Sequence, residues 1–162
     1  MRKILLGIFA VAGIASASNF NLGINGGAAS TEAGMTGDIA INGGYFFQKD
    51  ILGEINYLHA FQVNNVTLNV VAVDVKKLFP LSPTTTAFVK AGSAYINTSY
   101  DNGYCNNNNC YGNTNSSSSL SVLAGAGLSF KIAPQIAINI EQDIYFVTTQ
   151  LNTLNAGVSI DF

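Results

Sequence analysis

Two cysteines close together in the chain are the first residues whose spacing suggests chemistry. Cys105 and Cys110 flank a run of asparagines, Asn106 to Asn109. In an exported protein, two cysteines at this spacing usually form a disulfide, and the chain-entropy estimate for so small a ring is only about 2 kcal/mol. A structural metal site needs about four ligands. We therefore expect no metal, and a disulfide that stiffens a loop without holding the fold together.

The single histidine, His59, is the next residue type able to support catalysis. Nucleophilic catalysis requires a histidine close to a serine or an acid. His59 falls in the apolar phase of an alternating segment and precedes Ala60 and Phe61, so a position at a membrane interface is favoured over the role of a base. The sequence predicts a protein that is not an enzyme and uses no cofactor.

Charged residues are scarce along the whole chain. They make up 10% of it, against roughly 25% in ordinary soluble domains. The formal net charge is −2, and no cluster of lysine or arginine offers the basic patch that nucleic-acid binding requires. A surface with so few charges is typical of a protein that faces lipid.

The last segment, Thr153 to Phe162, shows the strand pattern most clearly. Leu154, Ala156, Val158, Ile160 and Phe162 share one face of a strand, and the polar residues between them share the other. A soluble sandwich would bury the apolar face, whereas a transmembrane barrel turns it towards lipid. This strand alone does not distinguish the two folds.

The N-terminus favours the barrel. Arg2 and Lys3 precede an apolar run, Ile4 to Ile14, and a small-x-small cleavage site, Ala15-Ser16-Ala17. The run is too short to span a bilayer, and the pattern is typical of a cleaved secretory signal peptide. We predict a signal peptide at residues 1–17 and one exported barrel domain at residues 18–162.

The rest of the chain divides into eight alternating segments. They are Phe20–Ala28, Thr36–Phe47, Ile51–Phe61, Val66–Leu78, Thr84–Asn97, Leu120–Phe130, Ile136–Phe146 and Thr153–Phe162. Compact breaks at residues 48–50, 78–83 and 131–135 alternate with other breaks, which include the longest, at residues 97–119. Compact periplasmic turns and a long extracellular loop are typical of outer-membrane barrels. We predict an all-β fold, an eight-stranded antiparallel up-and-down transmembrane barrel in the bacterial outer membrane.

The fourth segment departs from simple alternation. Val66, Leu68 and Val70 share one face, but Val73 and Val75 join that face only if the phase slips near Val71-Ala72. This pattern predicts a β-bulge, beyond which Asp74 and Lys76 point inward.

Three features resemble a known family. They are the C-terminal residues Gly157-Val158-Ser159-Ile160-Asp161-Phe162, the hairpin from Gly125 to Glu141 and the signal peptide. Together they resemble the small eight-stranded outer-membrane β-barrels, the porin-family domain that groups the transmembrane domain of OmpA with OmpX-like proteins. The resemblance implies that the barrel-assembly machinery recognises Phe162 and the alternating residues before it. Because no domain follows Phe162, we do not expect the peptidoglycan anchoring of longer members.

Eight charged residues fall on the predicted inward faces: Asp38, Glu54, Asp74, Lys76, Lys90, Glu141, Asp143 and Asp161. A charge inside a narrow barrel is costly unless it is paired. The resemblance implies an ion-pair network across the lumen that blocks or gates water. Glu54, Lys90 and Glu141 are the matching residue types, with Asp38 and Asp143 beside them. The plainer interpretation is that these side chains only fill the lumen.

The long loop is rich in Asn, Ser, Gly and Tyr, as adaptable binding loops are, and Tyr100, Tyr104 and Tyr111 could supply contact area. The same composition is found in merely solvated loops. Two functions stay open. One is an envelope structural and surface-interaction protein, with outer-membrane lipid and an unidentified extracellular ligand as partners. The other is a narrow pore for water and small ions, gated by the lumen charges.

Overall fold

The computed structural model describes residues 19–31, 34–63, 65–101, 104–106, 109–111, 114–146 and 150–162. The strands within them are β1 (Phe20–Thr31), β2 (Gly34–Gln48), β3 (Ile51–Val63), β4 (Val66–Pro80), β5 (Thr85–Asp101), β6 (Tyr104–Asn106), β7 (Asn109–Tyr111), β8 (Thr114–Ala133), β9 (Ile136–Phe146) and β10 (Leu151–Asp161). The predicted signal peptide, residues 1–17, lies outside the described residues and stays a prediction.

Eight of these strands close into a barrel in the order β1, β10, β9, β8, β5, β4, β3, β2. Neighbouring strands are antiparallel, and β1 pairs with β10 from Asn21–Asp161 to Ser30–Asn152. Closure leaves no strand edge, so backbone donors and acceptors are paired within the barrel. The predicted eight-stranded up-and-down barrel is confirmed. No helix in the described part of the chain is long and apolar enough to cross a membrane.

Side chains alternate across the barrel wall. Ile55, Val73 and Leu154 are 61%, 58% and 59% exposed on the outside, whereas the neighbouring Glu54 and Asn155 are buried in the lumen. A soluble protein rarely exposes so much contiguous apolar surface. The outer wall of an outer-membrane barrel has this composition because lipid covers it.

The bulge predicted in the fourth segment is wrong. β4 pairs with β3 without interruption from Lys77–Ile51 to Leu68–Ala60. Leu68 and Val70, which we expected on the outer face, are 8% and 1% exposed in the lumen. The lumen is apolar at this depth, so apolar residues occur on both faces of β4 and no change of phase is needed. Asp74 points inward, as predicted.

The loop predicted at residues 97–119 is shorter in the structure. β5 and β8 stay paired from Tyr95–Leu120 to Asp101–Thr114, and β6 and β7 form a small hairpin between them. The strands were predicted from the alternation of apolar and polar residues. Residues 115–119 lack this alternation, so the sequence gives no signal for a strand there. Strand pairing needs only backbone groups and a partner strand, so the polar segments continue the ladder.

The lumen is divided into layers along the barrel axis. The compact turns lie at one end together with Asn19 and Phe162, and this end is periplasmic in outer-membrane barrels. Charged side chains occupy the middle. Towards the extracellular end lies a buried apolar layer of Ala29, Ala40, Leu58, Ala60, Leu68, Val70, Ala72, Ala94, Ile96, Leu123, Tyr145 and Leu151.

Candidate functional site

Five side chains form a continuous ion-pair chain across the lumen, which we call the charge network. Lys76 Nζ lies 2.7 Å from Glu54 Oε2 and 3.7 Å from Glu141 Oε2. Lys90 Nζ lies 3.4 Å from Glu141 Oε2 and 2.7 Å from Asp143 Oδ2. The exposed fraction of each side chain is 11% or less. These pairs are therefore desolvated, and their Coulombic interactions are stronger than those of surface pairs.

Lys90 reaches Asp143 by crossing a whole strand. In the sheet, Lys90 of β5 lies opposite Gly125 of β8, and Gly125 lies opposite Asp143 of β9. A Cβ atom on Gly125 would lie 2.9 Å from Lys90 Cε and would overlap the carboxylate of Asp143. The missing side chain at Gly125 is what lets the ammonium group contact the carboxylate.

The register also sets Lys76 directly opposite Lys90. Two like charges in this position repel one another. The carboxylate of Glu141, on β9, lies within 4 Å of both ammonium groups. Lys76 Nζ also lies 4.3 Å from the centroid of the Phe88 ring, in cation–π geometry.

Asparagine side chains support the carboxylates. Asn42 Nδ2 donates to Glu54 Oε1 at 2.9 Å, and Asn25 Nδ2 donates to Glu141 Oε1 at 3.4 Å. These donors occupy the carboxylate oxygens that do not face the lysines. Their inward phase in the sequence marks both asparagines as lumen residues, but no local pattern predicts these hydrogen bonds.

The structure joins four of the predicted lumen residues, Glu54, Lys90, Glu141 and Asp143, and adds Lys76 as the partner of Glu54. Asp38 is 4% exposed, but its carboxylate makes no hydrogen bond or ion pair with the described residues. Asp38 therefore lies outside the ion pairs of the network among the described residues. Asp38 lies ten residues before Gln48, the last residue of β2. It is therefore closer to the extracellular end of the barrel than the lysine side chains are.

A polar cavity of about 550 Å³ opens from the periplasmic end to the network. Its walls include Asn21, Asn139 and Ser159, and the network residues Glu54 and Lys76 form its inner end. Asn21 Nδ2 donates to Asp161 Oδ1 at 2.7 Å, close to the cavity mouth. The periplasmic half of the lumen is thus open to water, whereas the described side chains of the apolar layer beyond the network are buried.

His59 lies on the outer wall, where its Nδ1 is 2.8 Å from Asn69 Oδ1 and its ring packs edge-to-face against Phe61. The described residues contain no group of three or more His, Cys, Asp or Glu side chains that could hold a metal ion.

The residues of the predicted assembly signal lie at the C-terminal end of the chain, where β10 pairs with β1 and closes the barrel. Val158 and Ile160 face outward at 41% and 39% exposure, and Gly157 faces the lumen opposite Asn25. The Phe162 backbone donates to Phe20 O at 2.8 Å and accepts from Asn19 N at 2.7 Å. These contacts give Phe162 a structural role; its recognition by the assembly machinery stays a prediction.

The predicted loop contacts are only partly described. Tyr100 lies on β5 and is 44% exposed. The side chains of Cys105, Cys110, Tyr104 and Tyr111 lie outside the described part of the chain. The backbone places Cys105 opposite Cys110, and residues directly opposite in an antiparallel pair have Cα atoms about 4.5–5.5 Å apart, within the range of a disulfide. The disulfide itself stays a prediction.

The closed barrel, its apolar outer wall and its paired lumen charges define an integral β-barrel protein of the bacterial outer membrane. The chain belongs to the family of OmpA-like transmembrane domains, which matches it over residues 15–158. The resemblance and the location expected from the sequence are thereby confirmed. A comparison with curated protein sequences finds no match.

Solved structures of small outer-membrane barrels share the fold. Neisserial surface protein A has a TM-score of 0.72 at 16% identity, over 88% of this chain and 97% of that one. The N-terminal barrel domain of Pseudomonas aeruginosa OprF has a TM-score of 0.66 at 18% identity, over 90% and 100%. Ail of Yersinia pestis has a TM-score of 0.63 at 15% identity, over 90% and 97%.

Proposed function

We propose that this protein is a structural and surface-interaction protein of the envelope, in which the barrel is a closed anchor and the β5–β8 hairpin contacts other molecules. The filled lumen is the observation that supports it. Beyond the charge network, Leu58, Leu123 and Tyr145 are at most 3% exposed. An ion crossing this layer would lose its hydration, and the aliphatic and aromatic side chains that form the layer would not replace it.

The hairpin formed by β5 and β8 extends beyond the bilayer. A transmembrane strand needs about 9–11 residues, whereas β5 has 17 and β8 has 20. Tyr100, exposed and paired with Asn115, lies on this extension. Tyrosine supplies rigid contact area, and serine and asparagine supply adaptable hydrogen bonds.

The ligand of this hairpin is expected to be polar and uncharged. Ail has been solved in complex with the heparin analogue sucrose octasulfate, a polyanion, and binding a polyanion favours lysine or arginine. In the present chain, lysine and arginine are absent from residues 91–130 and from every other connection at the extracellular end. We therefore expect no affinity for sulfated glycans.

No catalytic role is proposed. His59, the residue type best suited to act as a base, contacts Asn69 on the outer wall and no serine hydroxyl among the described residues. On the present proposal the barrel anchors surface loops, and an anchor needs no reaction centre.

A narrow pore is the alternative, favoured by the polar cavity that reaches the network from the periplasm. In that case a shift of Lys90 away from Asp143 would have to open the lumen. Single-channel recording in planar bilayers tests both functions, with wild type beside Lys90→Ala and Lys77→Ala as the control. We expect no discrete openings from folded, heat-modifiable wild-type protein. Discrete openings that Lys90→Ala alters and Lys77→Ala does not would establish the pore.

The surface role is tested by deleting residues 102–113. The deletion is expected to leave a heat-modifiable barrel and to weaken binding of protein-containing vesicles to neutral glycans on an array. Sulfated glycans on the same array serve as the negative control. If the deletion left envelope integrity and all binding unchanged, the surface-interaction role would be wrong.

A further inference from the structure

The outer wall near the periplasmic end has a groove where two outward positions lack a side chain. Gly43 lies between Leu22 of β1 and Ile55 of β3. On the next row, Gly53 lies between Tyr45 and Val75. The groove over these glycines has a volume of about 530 Å³ and an almost wholly apolar lining. It is wide enough for a hydrocarbon chain.

Aromatic rings border this groove on its periplasmic side. Phe20 and Tyr45 pack edge-to-face with centroids 5.2 Å apart, and Tyr45 and Phe47 with centroids 5.4 Å apart. The ring of Phe47 lies so close to Gly53 that a Cβ atom on Gly53 would overlap the ring. Aromatic rings at this level are typical of the boundary between hydrocarbon and headgroups.

A second cavity of about 400 Å³, with a mixed polar and apolar lining, adjoins the groove at Phe47. It is lined by Asn19, Phe46, Phe47, Gln48 and Lys49. The neighbouring Asp50 is paired with Lys77, and within the described residues Lys49 forms no ion pair. Lys49, which has no ion pair among the described residues, therefore lines a cavity that shares Phe47 with the apolar groove.

We propose that these two cavities together bind one phospholipid of the inner leaflet, with an acyl chain in the groove at Gly43, beside the Phe47 ring that covers Gly53, and the phosphate beside Lys49. The depths match, since hydrocarbon meets the groove and headgroups meet the periplasmic rim. Ammonium and phosphate groups are complementary in charge and hydrogen bonding. Strand addition by another chain is excluded here because β2 and β3 are paired on both sides.

Native mass spectrometry of the full-length protein, extracted from outer membranes and titrated with phosphatidylglycerol, tests the site. Gly43→Leu places a side chain in the groove: a Cβ atom there would lie 3.4 Å from the flexible end of Leu22, and Gly43 is not among the positive-φ glycines. Lys49→Gln removes the cation. Two variants are matched controls: Gly26→Leu, at an outward glycine in the middle of β1, and Lys131→Gln, at another rim lysine without an ion pair among the described residues.

Wild type is expected to retain one phosphatidylglycerol. Its affinity should fall about tenfold in Gly43→Leu and about fivefold in Lys49→Gln, while both controls stay within about twofold of wild type. Heat-modifiable migration verifies that each variant is folded. Equal retention by wild type and Gly43→Leu would overturn the proposal. So would equal loss in the controls, or a change in the monomer–dimer ratio of Gly43→Leu with lipid retention unchanged.

Discussion

At the scale of single residues, Glu141 keeps two opposed lysines together in the lumen. Lys76 and Lys90 face one another across β4 and β5, and Glu141 lies within 4 Å of both ammonium groups. The remaining carboxylates, Glu54 and Asp143, each lie 2.7 Å from one lysine. Because each lysine lies between two carboxylates, removing one lysine leaves two carboxylates short of a partner.

Lys90→Ala is therefore expected to destabilise the barrel strongly. Removing one partner of a buried ion pair typically costs about 3–5 kcal/mol, since the other charge is left buried and uncompensated. Urea unfolding in lipid vesicles, followed by circular dichroism, measures the change. Lys90→Arg, which keeps the cation, should lose less.

Lys77→Ala is the matched control for this prediction. Lys77 pairs with Asp50 at the periplasmic rim, where the two side chains are 43% and 42% exposed, and exposed pairs contribute little to stability. If Lys90→Ala unfolded at the same urea concentration as Lys77→Ala, the network would have no stabilising role.

The ion pair between Lys77 and Asp50 depends on pH. The hydrogen bond from Lys77 lowers the pKa of Asp50, in the turn between β2 and β3, below its ordinary value. A lowered carboxyl pKa means that the pair is present above the ordinary value and is lost as pH falls through the lowered one. In Lys77→Ala, NMR titration of the Asp50 carboxyl should show its pKa raised towards the ordinary value. An unchanged pKa would contradict the pairing.

The sequence could predict which charges enter the lumen but not how they pair. Alternation alone placed Glu54, Lys90 and Glu141 inward. The contact of Lys90 with Asp143 depends on the stagger of three strands and on the absence of a side chain at Gly125 between them. Stagger is a property of the closed barrel, so no local pattern reports it.

At the scale of strands, the prediction was accurate wherever lipid imposes alternation. The bounds of β9 agree with the sequence pattern, because its outward Ile138 and Ile140 alternate with polar lumen residues. Errors arose where that constraint ends: β8 begins at Thr114 in a polar run outside the bilayer. In β4, Val70 faces an apolar lumen and mimics a lipid-facing residue.

The β1–β10 pair depends on close approach at a lumen-facing glycine. A Cβ atom on Gly157 would overlap Ile24 O and lie 2.7 Å from Asn25 Cα, and backbone atoms cannot move away cheaply. Gly157→Ala is therefore expected to destabilise the barrel by about 1–3 kcal/mol, as overpacking does. Urea unfolding compares it with Gly26→Ala, an outward site where the nearest atom is 3.7 Å away. Equal stability of the two variants would show that β1 and β10 can move apart at Gly157 without lowering the free energy of unfolding.

At the scale of the whole molecule, the fold depends on closure by its last strand. β10 joins β9 on one side and β1 on the other, and the backbone of Phe162 forms the last bonds of the seam. Deleting residues 153–162 leaves two unpaired edges, whose backbone groups cannot be satisfied in hydrocarbon. We expect the deletion to abolish the heat-modifiable folded band after refolding into vesicles.

Phe162→Ala separates closure from recognition, because it keeps both backbone bonds and removes only the ring. If the ring is a signal for the assembly machinery, purified Phe162→Ala should refold into vesicles like wild type but reach the outer membrane of cells in smaller amounts. The comparison is the folded fraction in vesicles against the folded fraction in isolated outer membranes. If Phe162→Ala failed to refold in vesicles, the ring would contribute to the stability of the barrel itself. Normal folded fractions in vesicles and in outer membranes would mean that the terminal aromatic has no role in assembly.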